Sequence, residues 1–301
     1  MKKFYSNGKL LLSGEYAILD GAEGLALPTK FGQHLSIKDS DTGIINWRSL
    51  DETNNVWFTA HLDLESLKVI ETSDPVIAHR LSEILNEAKT ANPKFLENLK
   101  GVYADSILTF PKNWGLGSSS TLINNISKWA NIDPYRLLEA TFGGSGYDIA
   151  CAQHNSAIVY SKKQNHPYIK EVTFNPKFKD SIFFIYLNQK KNSREAIDSY
   201  RKRAIDKVDL IPQINQITTS ILNCNNLPEF EKLMDTHESL ISKTLGITTI
   251  KEKLFDDYPK SIKSLGAWGG DFVMTTGTMD TMSYFRDKGY TTILPFHEMI
   301  L

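Results

Sequence analysis

Apolar residues in this chain recur with two different periods, and the changes of period mark out its elements. Val102–Thr109 alternates apolar and polar positions, the two-residue repeat of a half-buried strand. Lys3–Leu12, Gly32–Lys38, Gly43–Arg48 and Val56–Ala60 read as further strands, with Ala17–Leu19 a short one beyond a turn at Ser13-Gly14-Glu15. In Pro75–Ala91 the apolar positions Val76, Ile77, Leu81, Ile84, Leu85 and Ala88 fall three and four apart, which predicts an amphipathic helix. Ser119–Ala130 predicts a second helix. Tyr135–Phe142 predicts a third, with Asp133 as its N-cap and Pro134 at its first position.

The second half repeats this mixture. Ala157–Ser161 and Tyr168–Phe174 pair as a hairpin, polar Asn175–Asp180 reads as a linker, and Ser181–Leu187 is an almost wholly apolar strand. Helices are predicted over Ser193–Val208, Leu210–Asn223 and Leu227–Leu245. A glycine loop, Ser264–Gly270, then precedes the strand Phe272–Thr276, and helix Met279–Lys288 and strand Thr291–Pro295 close the chain. At 301 residues it is long enough for two domains with separate cores. The expected class is α+β, divided into residues 1–178 and 179–301.

Charge removes two classes of partner. A formal net charge of −1 gives no electrostatic case for nucleic acid or a membrane surface, so Arg201-Lys202-Arg203 reads as a solvated helix face. Cys151 and Cys224 are far apart and the seven histidines are scattered, which argues against a zinc site or a disulfide framework. The apolar run Leu10–Leu12 is too short for a signal-peptide core, and no segment has membrane-spanning length. A cytoplasmic protein, monomer or homodimer, is expected. Trp47 and Trp57 read as sheet packing rather than a platform for a base.

Candidate chemistry centres on Pro111-Lys112-Asn113-Trp114-Gly115-Leu116-Gly117-Ser118-Ser119-Ser120, between a strand and a helix. Glycines let backbone approach a ligand closely, and a helix start presents unpaired N–H groups and the positive end of its dipole. Such a loop suits a phosphate. It lacks the Gly-Lys-Ser/Thr of a Walker loop and does not match the dinucleotide fingerprint. By itself it reads equally as a plain Gly-Ser turn.

Two further motifs change that balance. Gly8-Lys9-Leu10-Leu11-Leu12-Ser13-Gly14-Glu15-Tyr16-Ala17-Ile18-Leu19-Asp20-Gly21 lies near the start and Gly266-Ala267-Trp268-Gly269-Gly270-Asp271 near the end. In this order and at this separation, the three resemble the GHMP kinases, the small-molecule kinases for galactose, homoserine, mevalonate and phosphomevalonate. Gly14–Leu19, with Tyr16 where mevalonate kinases usually carry histidine, is most similar to the phosphomevalonate kinase branch. Gly144-Ser145-Gly146-Tyr147-Asp148-Ile149-Ala150 points the same way.

The resemblance implies a two-domain GHMP kinase fold: an N-terminal nucleotide domain like domain 2 of ribosomal protein S5 and a ferredoxin-like C-terminal domain, with the site in the cleft between. It implies transfer of the γ-phosphoryl group of ATP, with Mg²⁺, to a small acceptor, phosphomevalonate first and mevalonate or another small alcohol second. A kinase-like ligand sensor without turnover is the alternative. ATP contacts would come from Pro111, Gly115, Leu116, Gly117, Ser118, Ser119, Ser120, Gly266, Gly269 and Gly270. Ser119 and Glu139 would ligate Mg²⁺; N-capping and a solvated helix face are their bland alternatives. Lys9 would neutralise the transferring phosphoryl group, and Asp148 would be its acid/base or electrostatic partner, with the acceptor between them. A phosphate acceptor is already nucleophilic at neutral pH, which gives Asp148 the role of orienting Lys9 more than that of removing a proton. Glu15, Tyr16, Ser145 and Gly146 would contact the acceptor, and Ser193 and Arg194 could hold a phosphate on it, unless Ser193 is only an N-cap.

The chain departs from the GHMP pattern in the third motif. Leu265 removes a hydroxyl, and Trp268 puts a large ring where glycine is usual, although side-chain-bearing residues avoid the left-handed backbone that glycine adopts freely. Asn7 also stands where proline is usual. Either the loop is reshaped or Trp268 packs on substrate or adenine.

Overall fold

In a computed structural model the chain forms two compact units, and both β1 (Lys2–Leu11) and β2 (Gly24–Asp39) run through the two of them. The structure describes residues 1–164, 166–189, 197, 200–202, 207–266, 268 and 270–301. One unit comprises Met1–Gly8, Phe31–Lys112 and Leu116–Gln153; the other comprises Lys9–Lys30, Asn113–Gly115 and His154–Leu301.

In the first unit, β3 (Ile44–Leu50), β4 (Val56–Asp63), β5 (Val69–Thr72) and β6 (Val102–Leu108) join the later part of β2 in the order β5-β4-β3-β6-β2. Only β3 and β6 run parallel; the other neighbours are antiparallel. Alternation decides which face is covered. Ile45 and Trp47 of β3 and Phe58, Ala60 and Leu62 of β4 are buried, while Asn46 and Arg48 point the other way.

Onto that apolar face pack α1 (Pro75–Ala91), α2 (Ser118–Ala130), α3 (Pro134–Thr141) and α4 (Tyr147–Gln153), through Leu81, Ile84 and Leu85, then Ile123, Ile126 and Trp129, then Leu137, and finally Ile149. Helix α1 begins where Asp74 accepts from the N–H groups of Val76 and Ile77 with Pro75 at the first position, so both bounds match expectation. Asp133 caps α3 in the same way.

A buried polar network fixes α2 against the strands. Asn124 donates to Ser6 Oγ (2.8 Å), Ser6 Oγ donates to Asn125 Oδ1 (2.7 Å), and Asn125 donates to the carbonyl of Gln33 (2.9 Å). The Gln33 amide donates to Ser106 Oγ (2.7 Å) and its carbonyl oxygen accepts from Thr121 (2.5 Å). Hydrogen bonds of this kind are directional where apolar packing is not, so the network sets the rotation of the helix that carries the three serines.

In the second unit the N-terminal part of β2 pairs with β7 (Ile158–Lys163), which forms a hairpin with β8 (His166–Glu171), as expected. Strands β9 (Ile182–Tyr186), β10 (Ile262–Ser264), β11 (Phe272–Thr276) and β12 (Ile293–Pro295) form an antiparallel sheet in the order β10-β11-β9-β12. Every residue of β9 is buried, which explains why its sequence does not alternate. Helices α5 (Lys207–Asn223) and α6 (Leu227–Leu245) pack on one another, and α6 packs on β10.

Ala17–Leu19 corrects the expectation of a strand: Ala17–Asp20 is a 3₁₀ turn ending at Gly21, because Gly14 and Tyr16 at positive φ curl the backbone before a strand can form. Cys151 and Cys224 are both buried and form no disulfide, and no helix among the described residues is long and apolar enough to cross a membrane.

The buried network yields a stability prediction. Asn125→Ala leaves Ser6 Oγ without its acceptor and the Gln33 carbonyl without its donor, so urea unfolding is expected to show a loss of about 3 kcal/mol. A loss below about 0.5 kcal/mol, typical of an exposed position, would contradict it.

Candidate functional site

Three residues from the three separated motifs meet in the second unit. Lys9, near the C-terminal end of β1, is buried and donates from Nζ to the carbonyl of Gly115 at 3.0 Å. Gly115 has φ +67°, and a Cβ placed on it would lie 2.2 Å from the carboxylate of Asp271. No side chain fits there, and the left-handed backbone favours glycine independently. Gly266, φ +66°, also faces Asp271: a Cβ on it would lie 3.3 Å from Oδ2. Aromatic packing holds the Gly115 segment, with Trp114 edge-on to Phe272 (5.5 Å between centroids) and Tyr186 donating to the carbonyl of Asn113 (3.2 Å).

The first unit carries the rest of the glycine loop. Gly117, φ 89°, occupies the N-cap of α2 and supplies no side chain to cap it. The first intrahelical bond runs from Thr121 N–H to Gly117 O (3.0 Å), so the N–H groups of Ser118, Ser119 and Ser120 lie in the turn that a helix itself leaves unpaired. Leu116 is buried as an anchor, Ser120 is buried, and Ser119 is exposed. This is a cradle of amide donors suited to an anion.

Glu139 is exposed in the last turn of α3, while Asp148 is half-buried in the first turn of α4, whose N-terminus follows Ser145 and Gly146 (φ 89°). Hydroxyl and carboxylate oxygens, as at Ser119 and Glu139, are the donors a hard cation such as Mg²⁺ prefers. Among the described residues no group of three or more His, Cys, Asp or Glu could hold a metal, so any Mg²⁺ here would take much of its coordination from phosphate and water. Pro111 is half-buried ahead of the loop. Gly269, Ser193 and Arg194 lie outside the described residues.

Beside this, the second unit contains a buried ionisable cluster that sequence reasoning did not find. Lys263 Nζ, on β10 and without solvent exposure, donates to Glu15 Oε1 and to the carbonyl of Ser264 (3.0 Å), with Glu238 Oε1 at 3.7 Å. Glu238, on α6, accepts from Ser264 Oγ (3.0 Å) and from the indole N–H of Trp268 (3.0 Å). Its neighbour His237 accepts from Gly14 N–H at Nε2 (3.1 Å), 3.2 Å from Glu15 Oε2.

One ammonium faces two carboxylates without water. Burial accordingly pushes Glu15 up and Glu238 up to about 7, Lys263 only partly offsetting it, while burial beside Lys263 keeps His237 neutral. Glu15, expected to touch the acceptor, has its carboxylate wholly buried against Lys263 and His237. Tyr16 is half-buried with φ 59°, its ring stacked on Tyr200 at 5.4 Å.

Trp268 resolves the choice left by the third motif. Its φ is +49°, the conformation that glycine would take there, and its ring is 2 % exposed in a cluster with Ala17, Ala22, Leu210, Ile214, Ile241 and Leu245. The indole is turned into this cluster. A left-handed non-glycine residue costs roughly 1–2 kcal/mol, whereas burying a ring of about 200 Å² contributes several times that.

No family model and no curated protein matches the sequence. The architecture does match solved structures. Methanococcus jannaschii mevalonate kinase superposes with a TM-score of 0.69 at 18% identity, covering 97% of this chain and 96% of that one. Streptococcus pneumoniae phosphomevalonate kinase, solved with phosphomevalonate and AMPPNP, gives 0.68 at 15% over 98% and 100%. Lactococcus lactis galactokinase, solved with galactose, gives 0.71 at 13% over 100% and 93%. The chain has the GHMP kinase fold. At these identities the likeness is one of fold, and the chemistry of this GHMP-fold chain rests on its own residues.

The raised Glu238 carboxyl makes a signed prediction. A buried acid with a raised folded pKa keeps its proton while the unfolded chain loses it, so its contribution to stability falls as pH rises from the ordinary carboxylate range near 4.5 to about 7. Glu238→Gln, which cannot ionise, should gain on the wild type by about 3 kcal/mol across that window in paired unfolding titrations. A constant difference with pH would contradict the assignment.

Proposed function

We propose that this chain is an ATP-dependent small-molecule kinase of the GHMP type. The observation that carries the reading is the meeting of Lys9, Gly115 and Asp271, one residue from each of three separated motifs, around a backbone stretch with no room for a side chain. That meeting gives the second unit a positioned ammonium, and the uncapped start of α2 gives the first unit amide donors, each something phosphoryl transfer asks of a protein with little covalent work.

The roles follow from residue type. The N–H groups of Ser118–Ser120 hold phosphate oxygens. Lys9, a point charge already directed onto the loop by its bond to Gly115 O, neutralises the transferring group. Ser119 and Glu139 would hold Mg²⁺, which when bound screens phosphate charge. Asp148 orients the acceptor, and removes its proton where the acceptor is an alcohol. Phosphomevalonate is our first choice of acceptor: Tyr16 replaces the usual histidine, and one structural neighbour holds phosphomevalonate. Mevalonate is the second, supported by the fold likeness to mevalonate kinase.

A coupled ADP-release assay against phosphomevalonate, mevalonate, homoserine and galactose tests this. Phosphomevalonate should give the highest kcat/KM, and Lys9→Met should lower it by about 100-fold or more with nucleotide still bound. Asp148→Ala should cost about 10-fold with a phosphate acceptor and about 1,000-fold with an alcohol. A signal with mevalonate alone overturns the choice of acceptor; no ADP with any acceptor, despite ATP binding, favours a ligand sensor.

A further inference from the structure

Glycine normally lets a phosphate-covering loop adopt left-handed backbone at no cost, but at position 268 this chain has tryptophan in that conformation. Something must therefore hold the backbone there. The apolar half of the ring is fixed by the cluster of Ala17, Ala22, Leu210, Ile214, Ile241 and Leu245. The polar edge is fixed by Glu238, whose two carboxylate oxygens take the Trp268 indole N–H and the Ser264 hydroxyl, each at 3.0 Å. Glu238 is held in turn by Lys263 at 3.7 Å, and Lys263 by Glu15, which lies next to the glycine turn of the first motif. Residues on both sides of Gly266, Ser264 before it and Trp268 after it, thus hang on one carboxylate from α6.

We propose that Glu238 is a positioning residue for the third glycine loop, fixing the chain at Ser264 and Trp268 and so setting the affinity for the nucleotide phosphates. The inference rests on the kinase reading. It also assigns Glu15 and Lys263 the task of orienting Glu238. Two sequence departures become one device on this account: the glycine missing at 268 is replaced by a side-chain anchor, and Leu265, fully buried, needs no hydroxyl because Ser264 supplies one.

The test is AMPPNP affinity in the presence of Mg²⁺, measured by calorimetry on the full chain. Glu238→Met removes both acceptors yet leaves Lys263 paired with Glu15, so no buried charge is orphaned. It should weaken binding about tenfold, as should Trp268→Phe, which removes only the indole N–H and part of the ring. Glu238→Gln keeps an acceptor and should restore affinity to within about threefold. The double variant Glu238→Met/Trp268→Phe should bind no worse than the weaker single, because both act through one contact. Losses that multiply to about a hundredfold, or wild-type affinity in Glu238→Met, would overturn the inference.

The Trp268 indole N–H resonance, assigned by its disappearance in Trp268→Phe, should shift in Glu238→Met without nucleotide present. An unmoved resonance overturns the anchor whatever the affinities are. A wild-type chain that binds no AMPPNP but shows the shift overturns the kinase reading instead, which separates the two failures.

Discussion

A lysine ammonium shut away from water needs charge partners, and much of the second unit is arranged around that of Lys263. Its amine reaches Glu15 beside the first motif, and Glu238 stands within 4 Å on a helix far away in sequence. Isolated, any of these three charges would cost several kcal/mol to bury; together they hold each other in place and share a deficit of one positive charge. Because hydrogen bonds are directional, the cluster orients what it touches: the backbone at Gly14 through His237, and the indole of Trp268 through Glu238.

On the kinase reading, the groups that would bind phosphate around that framework are almost all backbone. Gly115 packs directly on Asp271 and Gly117 opens α2, so positions that elsewhere tolerate many side chains here accept only glycine or a held left-handed residue. Amide donors fixed in this way need no reorganisation when charge develops, which is the main electrostatic resource of a phosphoryl-transfer site. Lys9 adds a positive charge, directed onto the loop by its bond to the Gly115 carbonyl. In the first unit the Ser6–Asn125–Gln33 network does the corresponding work for α2, trading buried polar side chains for a fixed rotation of its serine-bearing first turn.

What could be read from the sequence follows the strength of each local signal. The cap at Asp133, the helical spacing of Pro75–Ala91, the alternation of Val102–Thr109 and the helix over Leu227–Leu245 all correspond to observed elements, because there local chemistry and tertiary packing agree. Ala17–Leu19 misled because its apolar run is too short to distinguish a strand from a 3₁₀ turn once Gly14 and Tyr16 curl the chain. The cluster was hidden for a different reason: Glu15, His237, Glu238 and Lys263 come from three distant segments. A signal was present, since His237 and Glu238 continue the core-facing positions Phe230, Met234 and Ile241 of α6. Titratable residues at apolar positions of an amphipathic helix need partners, although the helix alone does not say which. The inward turn of Trp268 was similarly illegible, because it depends on Glu238.

On the proposed reading Lys9, Gly115 and Asp271, from three motifs remote in sequence, belong to one phosphate site, and Gly115 is its most constrained position. Calorimetric titration of Gly115→Ala with AMPPNP and Mg²⁺, beside the wild type, tests it most directly. The account predicts that the wild type binds and that Gly115→Ala, still folded by circular dichroism, binds at least about tenfold more weakly, as its methyl group displaces the Asp271 carboxylate and strains φ +67°. Equal affinity in the two proteins would contradict it.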